Sequence, residues 1–344
     1  MTRKLSMSEA INEAMKLAMR KDENVILLGE DVAGGAEIDH LQDDEAWGGV
    51  LGVTKGLVQE FGRERILDTP ISEAAYIGAA MGAAATGLRP VAELMFNDFI
   101  GCCLDQVLNQ GAKFRYMFGG KADVPVTIRT THGAGFRAAA QHSQSLYALF
   151  TSIPGIKVVV PSNPYDAKGL LLAAIEDNDP VIFFEDKTLY NMKGEVPEGY
   201  YTIPLGKADV KREGTDLTIV AIGKQVNTAL TAADQLSHKG IDVEVVDPRS
   251  LSPFDEETIL SSVEKTNRLI VIDEANPRCS IATDIAALVA DKGFDMLDAP
   301  IKRITAPHTP VPFSPPLEDI YLPTPQKVIE VVSELLGDKS LLSV

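Results

Sequence analysis

Short apolar runs alternate with helical stretches along most of the chain, and that alternation constrains the fold more than any other feature. "NVILLG" (24–29), "RILDT" (65–69), "PVAELMF" (90–96), "PVTIRT" (125–130), "IKVVVPS" (156–162) and "PVIFFED" (180–186) read as strands buried on both faces. Helical stretches lie between most of them, over 6–19, 72–86, 98–117 and 165–177, and Ser6 with Glu9 has the spacing of a capping box. Strands alternating with helices predict a mainly parallel sheet covered on both sides. From 187 to 206 turn residues replace the pattern, which predicts a linker. The pattern then restarts with "DLTIVAIG", a helix over about 225–239, "DVEVVD", "RLIVID", a helix near 280–292, "IKRIT" and a last helix from 324. The fold class is therefore α/β, as two mainly parallel-sheet domains, the second the smaller.

The chain has 344 residues with 45% hydrophobic and 24% charged, the composition of a globular protein with room for two domains. Its formal charge of −17 argues against nucleic acid as a partner, because phosphate binding needs a basic surface, and against an anionic membrane. The N-terminal "MTRKLSMSEAINEAM" lacks the apolar core of a signal peptide, and no run is long and apolar enough to span a bilayer. Cys102, Cys103 and Cys279 form neither a disulfide framework nor a zinc spacing, so the expected compartment is a reducing cytoplasm.

"DTPISEAAYIGAAMGAAATG" (68–87) places one carboxylate, Glu73, at the head of an uncharged segment of small residues. One reading is local: Thr69 caps a helix with Pro70 in its first turn, and Glu73 complements the helix dipole. The other starts from Gly78, Gly82 and Gly87, which weaken a helix unless another backbone must approach it closely. Such a helix would be buried and Glu73 with it, under opposing effects of desolvation and the helix N-terminus. A carboxylate so placed can share a proton with a ring nitrogen of a bound cofactor.

Gly133-x-Gly135-x-x-Ala138 follows the strand 125–130 and matches a dinucleotide fingerprint. The acid expected about 20 residues on is missing from "TSIPGIKVVVPS", so the stretch reads rather as a Gly/Ala loop ending in "AAQHSQ". The P-loop, a "GDG" with a paired Asn, HExxH and GxSxG are all absent, and the five histidines are scattered. Residues 33–55 form a long irregular stretch with Trp47, either a surface excursion pinned by that aromatic or part of an active site.

"DTPISE", "GLRPVAELMFNDF", "AAQHSQS", "VVPSNPYDAKGLLLAAIEDNDPVIFFE" and "DPRSLSPFD" together resemble one family, the beta subunits of the thiamine-diphosphate-dependent first component of 2-oxo acid dehydrogenase complexes. The resemblance runs from about residue 4 to the final helix. It implies a transketolase-type pyrimidine-binding domain over 1–190, a linker over 191–206 and a transketolase C-terminal domain over 207–344. It also implies an alpha subunit, in an α2β2 heterotetramer, that holds the diphosphate and magnesium.

Carried over by motif, Glu73 is the acid that hydrogen-bonds the aminopyrimidine nitrogen, and Met95 and Phe99 pack on that ring. His142 is the histidine that assists acyl transfer to lipoamide; its local alternative is a loop histidine bonded to backbone. The segment "AAIEDNDPV" resembles a potassium loop, with the carbonyls of Ala174, Ile175 and Asp177 and the side chain of Asp179. A helix C-terminus before Pro180 explains the same residues.

The stretch after "GEDV", with "LMFNDFIG" and "AKFRYMFGGKADVP", is most similar to acetoin-cleaving members of the family. That resemblance implies cleavage of acetoin to acetaldehyde, with the acetyl group passed to lipoamide. Pyruvate or branched-chain 2-oxo acids are the alternative substrates. A lipoyl-bearing dihydrolipoamide acetyltransferase is the implied partner. Glu318, Asp319, Glu330, Glu334 and Asp338 are candidates to meet its basic binding domain, or simply form a solvated face.

Overall fold

The computed structural model describes residues 2–34 and 46–342; the middle of the irregular stretch 33–55 lies outside them. The chain divides into two compact units, one of Met1–His132 with Leu149–Leu205, the other of Gly133–Ala148 with Gly206–Val344.

In the first unit the helix Met7–Lys21 starts at the expected capping box. Ser6 Oγ accepts the Glu9 amide at 3.2 Å, and Glu9 Oε2 accepts the Ser6 amide at 2.7 Å. Its apolar stripe of Met7, Ile11 and Met15, at spacing of four, packs in one core with Leu170, Leu171 and Ile175 of the helix Pro164–Glu176. The strands follow the spatial order Lys157–Val159, Val181–Asp186, Thr127–His132, Arg89–Phe96, Val25–Gly29, Ile66–Asp68, every neighbouring pair parallel. Parallel strands send their C-terminal ends to one edge, where α/β folds place ligands.

Two expectations change here. The single helix expected over 98–117 is broken into a 3₁₀ turn Asn97–Phe99, a helix Ile100–Asp105, a π-helical turn Gln106–Gly111 and a helix Ala112–Met117. The break lies where this segment meets the helix Glu73–Ala85: a Cβ on Gly111 would sit 2.7 Å from Met81 Sδ, and one on Gly78 would sit 3.4 Å from Gln106 Oε1. Of the glycines expected to admit a close neighbour, Gly78 meets Gln106 of the same chain at ordinary contact distance, whereas Gly82 and Gly87 have open space around them. The stretch 187–206 is also no slack connection, because Lys193–Pro197 pairs antiparallel with Thr2–Ser6. Turn residues flank that short strand and conceal it from a period count.

The second unit carries a five-stranded sheet in the order Lys302–Thr305, Leu269–Asp273, Leu217–Ala221, Val243–Asp247, Asp209–Arg212, parallel except at the last pair. Ile219, Val245, Ile270 and Ile272 pack against the helices Gln225–Ser237 and Pro325–Leu336 through Ala229, Ala233, Val328 and Val332. Both units are thus the α/β layers that the alternation predicts.

Candidate active-site elements at the strand ends

Glu30, Glu73, Met95 and Phe99 all fall at the C-terminal edge of the first unit's sheet. Glu30 follows the strand Val25–Gly29, Glu73 opens the helix after Ile66–Asp68, and Met95 ends Arg89–Phe96 with Phe99 in the turn beyond.

Glu73 is half-buried, not enclosed as the small-residue argument expected, and the expected cap is also wrong. Ser72 precedes the helix without a side-chain bond, and Thr69 Oγ1, buried three residues earlier, has no hydrogen-bond partner. Beyond Glu73, Ala74, Ala75, Ala79, Gly82 and Ala85 are exposed while Tyr76, Ile77, Ala80, Met81 and Ala84 are buried. One face of this helix therefore packs within the unit and the other does not.

The field of Glu73 reaches its neighbours. Burial, then the charges of Asp31, Glu73 and Glu93, push the Glu30 carboxyl up. Burial and then Glu73 push the Cys103 thiol up to about 12. A half-exposed carboxylate at a helix N-terminus, with Met95 and the edge-to-face pair Phe96–Phe99 (centroids 5.7 Å apart) at the strand end two places along the same sheet, is a donor set that fits a nitrogen heterocycle: one charged hydrogen-bonding group and apolar ring contacts.

Beneath this edge lies a buried charge network that the sequence did not reveal. Arg129 donates from Nε and Nη2 to Glu185 at 2.7 and 2.8 Å and from Nη1 to Glu93 at 2.7 Å, and Tyr190 OH donates to Glu185 at 2.6 Å. Met95, Glu93, Arg129 and Tyr190 line a cavity of about 10 Å³, the room of one water. Burial pushes the Glu93 carboxyl up against the opposing pull of Arg129, which holds a strongly stabilised positive charge. The apolar runs 90–96, 125–130 and 180–186 mark Glu93, Arg129 and Glu185 as strand residues without indicating that they pair.

His142 is half-buried in the second unit, its amide donating to Ala139 O at 3.4 Å. Gly133 and Gly135 open no helix; residues 133–146 run as bends and turns, and the Gly135 amide is bound by Glu318. A dinucleotide loop needs free amides at a helix start, so the fingerprint match carries no such site.

The segment expected to bind potassium is occupied by side chains. Arg89 Nη1 donates to the carbonyls of Ile175 and Asp177 at 3.2 and 3.1 Å, Lys157 pairs with the Asp177 carboxylate at 2.7 Å, and Arg115 pairs with Asp179 at 3.1 Å. The Ala174 carbonyl accepts the Asp177 amide in the helix cap. Three cationic groups around two carboxylates do not fit a site for a further cation.

Glu318 is likewise unavailable to a docking partner, being fully buried against Arg137; Asp319 also pairs with Arg137, and Glu330 with Lys327. Trp47 is exposed; the described ends of its stretch are held by Thr54 Oγ1, which donates to Val32 O, and by Asp68 Oδ1, which accepts the Ala33 amide.

A parallel α/β unit with an acid-bearing strand edge, followed in sequence by a second, mainly parallel unit, is the layout of the transketolase class, and the family models assign the chain to it. The model of the transketolase pyrimidine-binding domain matches residues 3–193, and that of the transketolase C-terminal domain matches residues 206–328. The chain belongs to the family of beta subunits of the first components of 2-oxo acid and acetoin dehydrogenases. It is 82% identical over 99% of its length to the whole of the acetoin:2,6-dichlorophenolindophenol oxidoreductase subunit beta of Bacillus subtilis. It is 61% identical to the subunit of the same name from Cupriavidus necator, over 95% of this chain and 96% of that one. Against the pyruvate dehydrogenase E1 component subunit beta of Bacillus subtilis the identity is 46%, over 96% of this chain and 98% of that one. A solved split-gene transketolase, an inactive beta4 tetramer, shares the fold with a TM-score of 0.75 at 23% identity, covering 97% of this chain and 99% of that one. Among the described residues no helix is long and apolar enough to cross a membrane.

Proposed function

We propose that this chain is the beta subunit of an acetoin-oxidising first component that works with an alpha subunit in an α2β2 assembly. The observation that carries the reading is the 82% identity, over 99% of the chain, to an acetoin:dichlorophenolindophenol oxidoreductase beta subunit, against 46% to a pyruvate dehydrogenase counterpart. The bond between the carbonyl and carbinol carbons of acetoin breaks. Acetaldehyde leaves, and the acetyl group passes to oxidised lipoamide, whose disulfide takes up the two electrons. Thiamine diphosphate, when bound, supplies the carbanion chemistry for that cleavage.

Glu73 binds and orients the pyrimidine through its ring nitrogen and holds a proton there. Its place at a helix N-terminus and its half-exposed position support that role. Met95 and Phe99 give the ring its apolar contacts, and His142 assists transfer of the acetyl group. The diphosphate and magnesium fall to the alpha subunit, in keeping with a chain whose sequence has neither a P-loop nor a "GDG…NN" element. Residues 1–190 form the pyrimidine-binding domain and 207–344 the C-terminal domain, with 191–206 between them. A lipoyl-bearing acetyltransferase is the acceptor of the acetyl group, and the compartment is the cytoplasm.

The test is to purify the tagged chain with its copurifying subunits, add thiamine diphosphate and magnesium, and compare dye reduction with acetoin, pyruvate and branched-chain 2-oxo acids. The highest cofactor-dependent rate is expected with acetoin. A higher rate with pyruvate or a branched-chain acid would replace the substrate and keep the family. No thiamine-dependent rate from an intact assembly would refute a catalytic role.

A further inference from the structure

The segment 133–148 presents His142 on a backbone that needs outside support. Gly133 and Gly135 have φ of 92° and 100°, and Arg137 and Ala139, which carry side chains, both have φ of 61°. Non-glycine residues in the left-handed region persist only where surrounding contacts over-determine them.

Those contacts are present at both ends. Near the start, Glu318 Oε1 accepts the Gly135 amide at 2.7 Å and Oε2 accepts Arg137 Nη1 at 2.7 Å. Glu318 is fully buried in the helix Pro315–Tyr321, and Arg137 also donates to the Pro315 carbonyl at 3.1 Å. Near the end, Ser145 Oγ donates to Glu274 at 2.7 Å and Tyr147 OH donates to Asp273. Glu274 is in turn paired with Lys224 at 2.7 Å, and Lys224 donates to the Ala134 carbonyl. His142 lies between the two sets of anchors.

A carboxylate that is fully buried and directs both oxygens at one loop is a weak stabiliser, because desolvation offsets its attraction. Its short, charge-assisted bonds are instead strong in direction. We propose that Glu318 is a positioning residue for His142, gripping Gly135 and Arg137 so that the histidine is presented for acyl transfer to lipoamide. The inference rests on the role of His142 proposed above.

The experiment uses the complex of this chain with its alpha subunit and reads two rates on one preparation. Dye reduction with acetoin requires no lipoyl transfer; acetylation of the lipoyl-bearing acetyltransferase does. For Glu318→Ala the ratio of acetylation to dye reduction should fall roughly 10- to 100-fold, the scale of a misplaced catalytic group, with a smaller fall for Glu318→Gln and Arg137→Gln. A purely structural defect lowers both rates and leaves the ratio unchanged, which would overturn the proposal. If Glu318→Ala yields no assembled complex, Glu318→Gln, isosteric with the native side chain, and Arg137→Gln decide by the same ratio. His142→Ala separates the two ideas. A collapsed ratio there with an unchanged ratio in the Glu318 and Arg137 variants rejects the positioning role alone. An unchanged ratio in His142→Ala rejects the histidine's role and the proposal with it.

Discussion

Arg129 and Glu185 are diagonal neighbours on adjacent parallel strands and share two hydrogen bonds, Nε to Oε1 at 2.7 Å and Nη2 to Oε2 at 2.8 Å. Both side chains are almost wholly buried, and the remaining guanidinium nitrogen is directed to Glu93. Two carboxylates and one guanidinium beneath a sheet edge make the first unit's interior a place where one deletion leaves an uncompensated charge.

Arg129→Met should therefore cost about 3–5 kcal/mol, because it removes the only positive charge of this network and leaves Glu185, bonded then only through Tyr190, and Glu93 uncompensated. Chemical denaturation of wild type and variant reads it. A loss under about 1 kcal/mol would mean that the carboxylates take up protons or water with little penalty.

Glu73→Gln should leave the protein folded and assembled with its alpha subunit, since the side chain is half-exposed and makes no cap bond. Thiamine-dependent turnover should drop by roughly 10²–10⁴, the contribution of a proton-transfer group. Near-normal turnover in an assembled variant would remove Glu73 from the chemistry.

Asp273, fully buried at the end of its strand, has its carboxyl pushed up to about 6, first by burial and against the opposing bonds from Tyr147 and the Ala275 amide. An unfolded Asp titrates near 3.9, so between about pH 4 and 6 the folded chain holds the extra proton. This residue's contribution is then largest at the acid end and is lost as pH rises through 6. Asp273→Asn stays neutral throughout, so its stability relative to wild type should grow by about 1–3 kcal/mol from pH 4 to 6 and level off above. A difference that stays flat over that window would show that Asp273 titrates normally.

Gly155 has φ of 101°, and a Cβ built on it would lie 2.1 Å from the Ala112 carbonyl oxygen. Gly155→Ala combines backbone strain with a clash against backbone that cannot rotate away, so a loss of roughly 2–4 kcal/mol is expected in thermal or denaturant unfolding. Gly87→Ala, with φ of 108° and open space around it, should cost less and serves as the control.

Much of this molecule is local in origin. The capping box at Ser6 and Glu9, the apolar stripe of Met7–Lys21 and the buried strands near 25, 90, 126 and 181 follow from residue spacing alone, because a helix turn and a pleat each constrain neighbours a few positions apart. The order of motifs was enough to identify the family and the strand-edge acid. The break in 98–117 has a local sign in Gly111, but the Met81 side chain packed against that glycine comes from another helix. The pairing of Lys193–Pro197 with Thr2–Ser6 joins segments nearly 200 residues apart, which no periodic pattern encodes.

Charged residues show the division most clearly. Sequence alone determined that Glu73 heads a helix of small residues at the end of a strand. Tertiary structure alone decided that one face of that helix is exposed, that Arg129 lies between Glu93 and Glu185, and that Glu318, outwardly one of several C-terminal surface acids, is buried against Gly135 and Arg137. The reason is physical. Secondary structure answers to neighbours along the chain, whereas the environment of a charge is set by which distant segments the fold brings within about 3 Å of it.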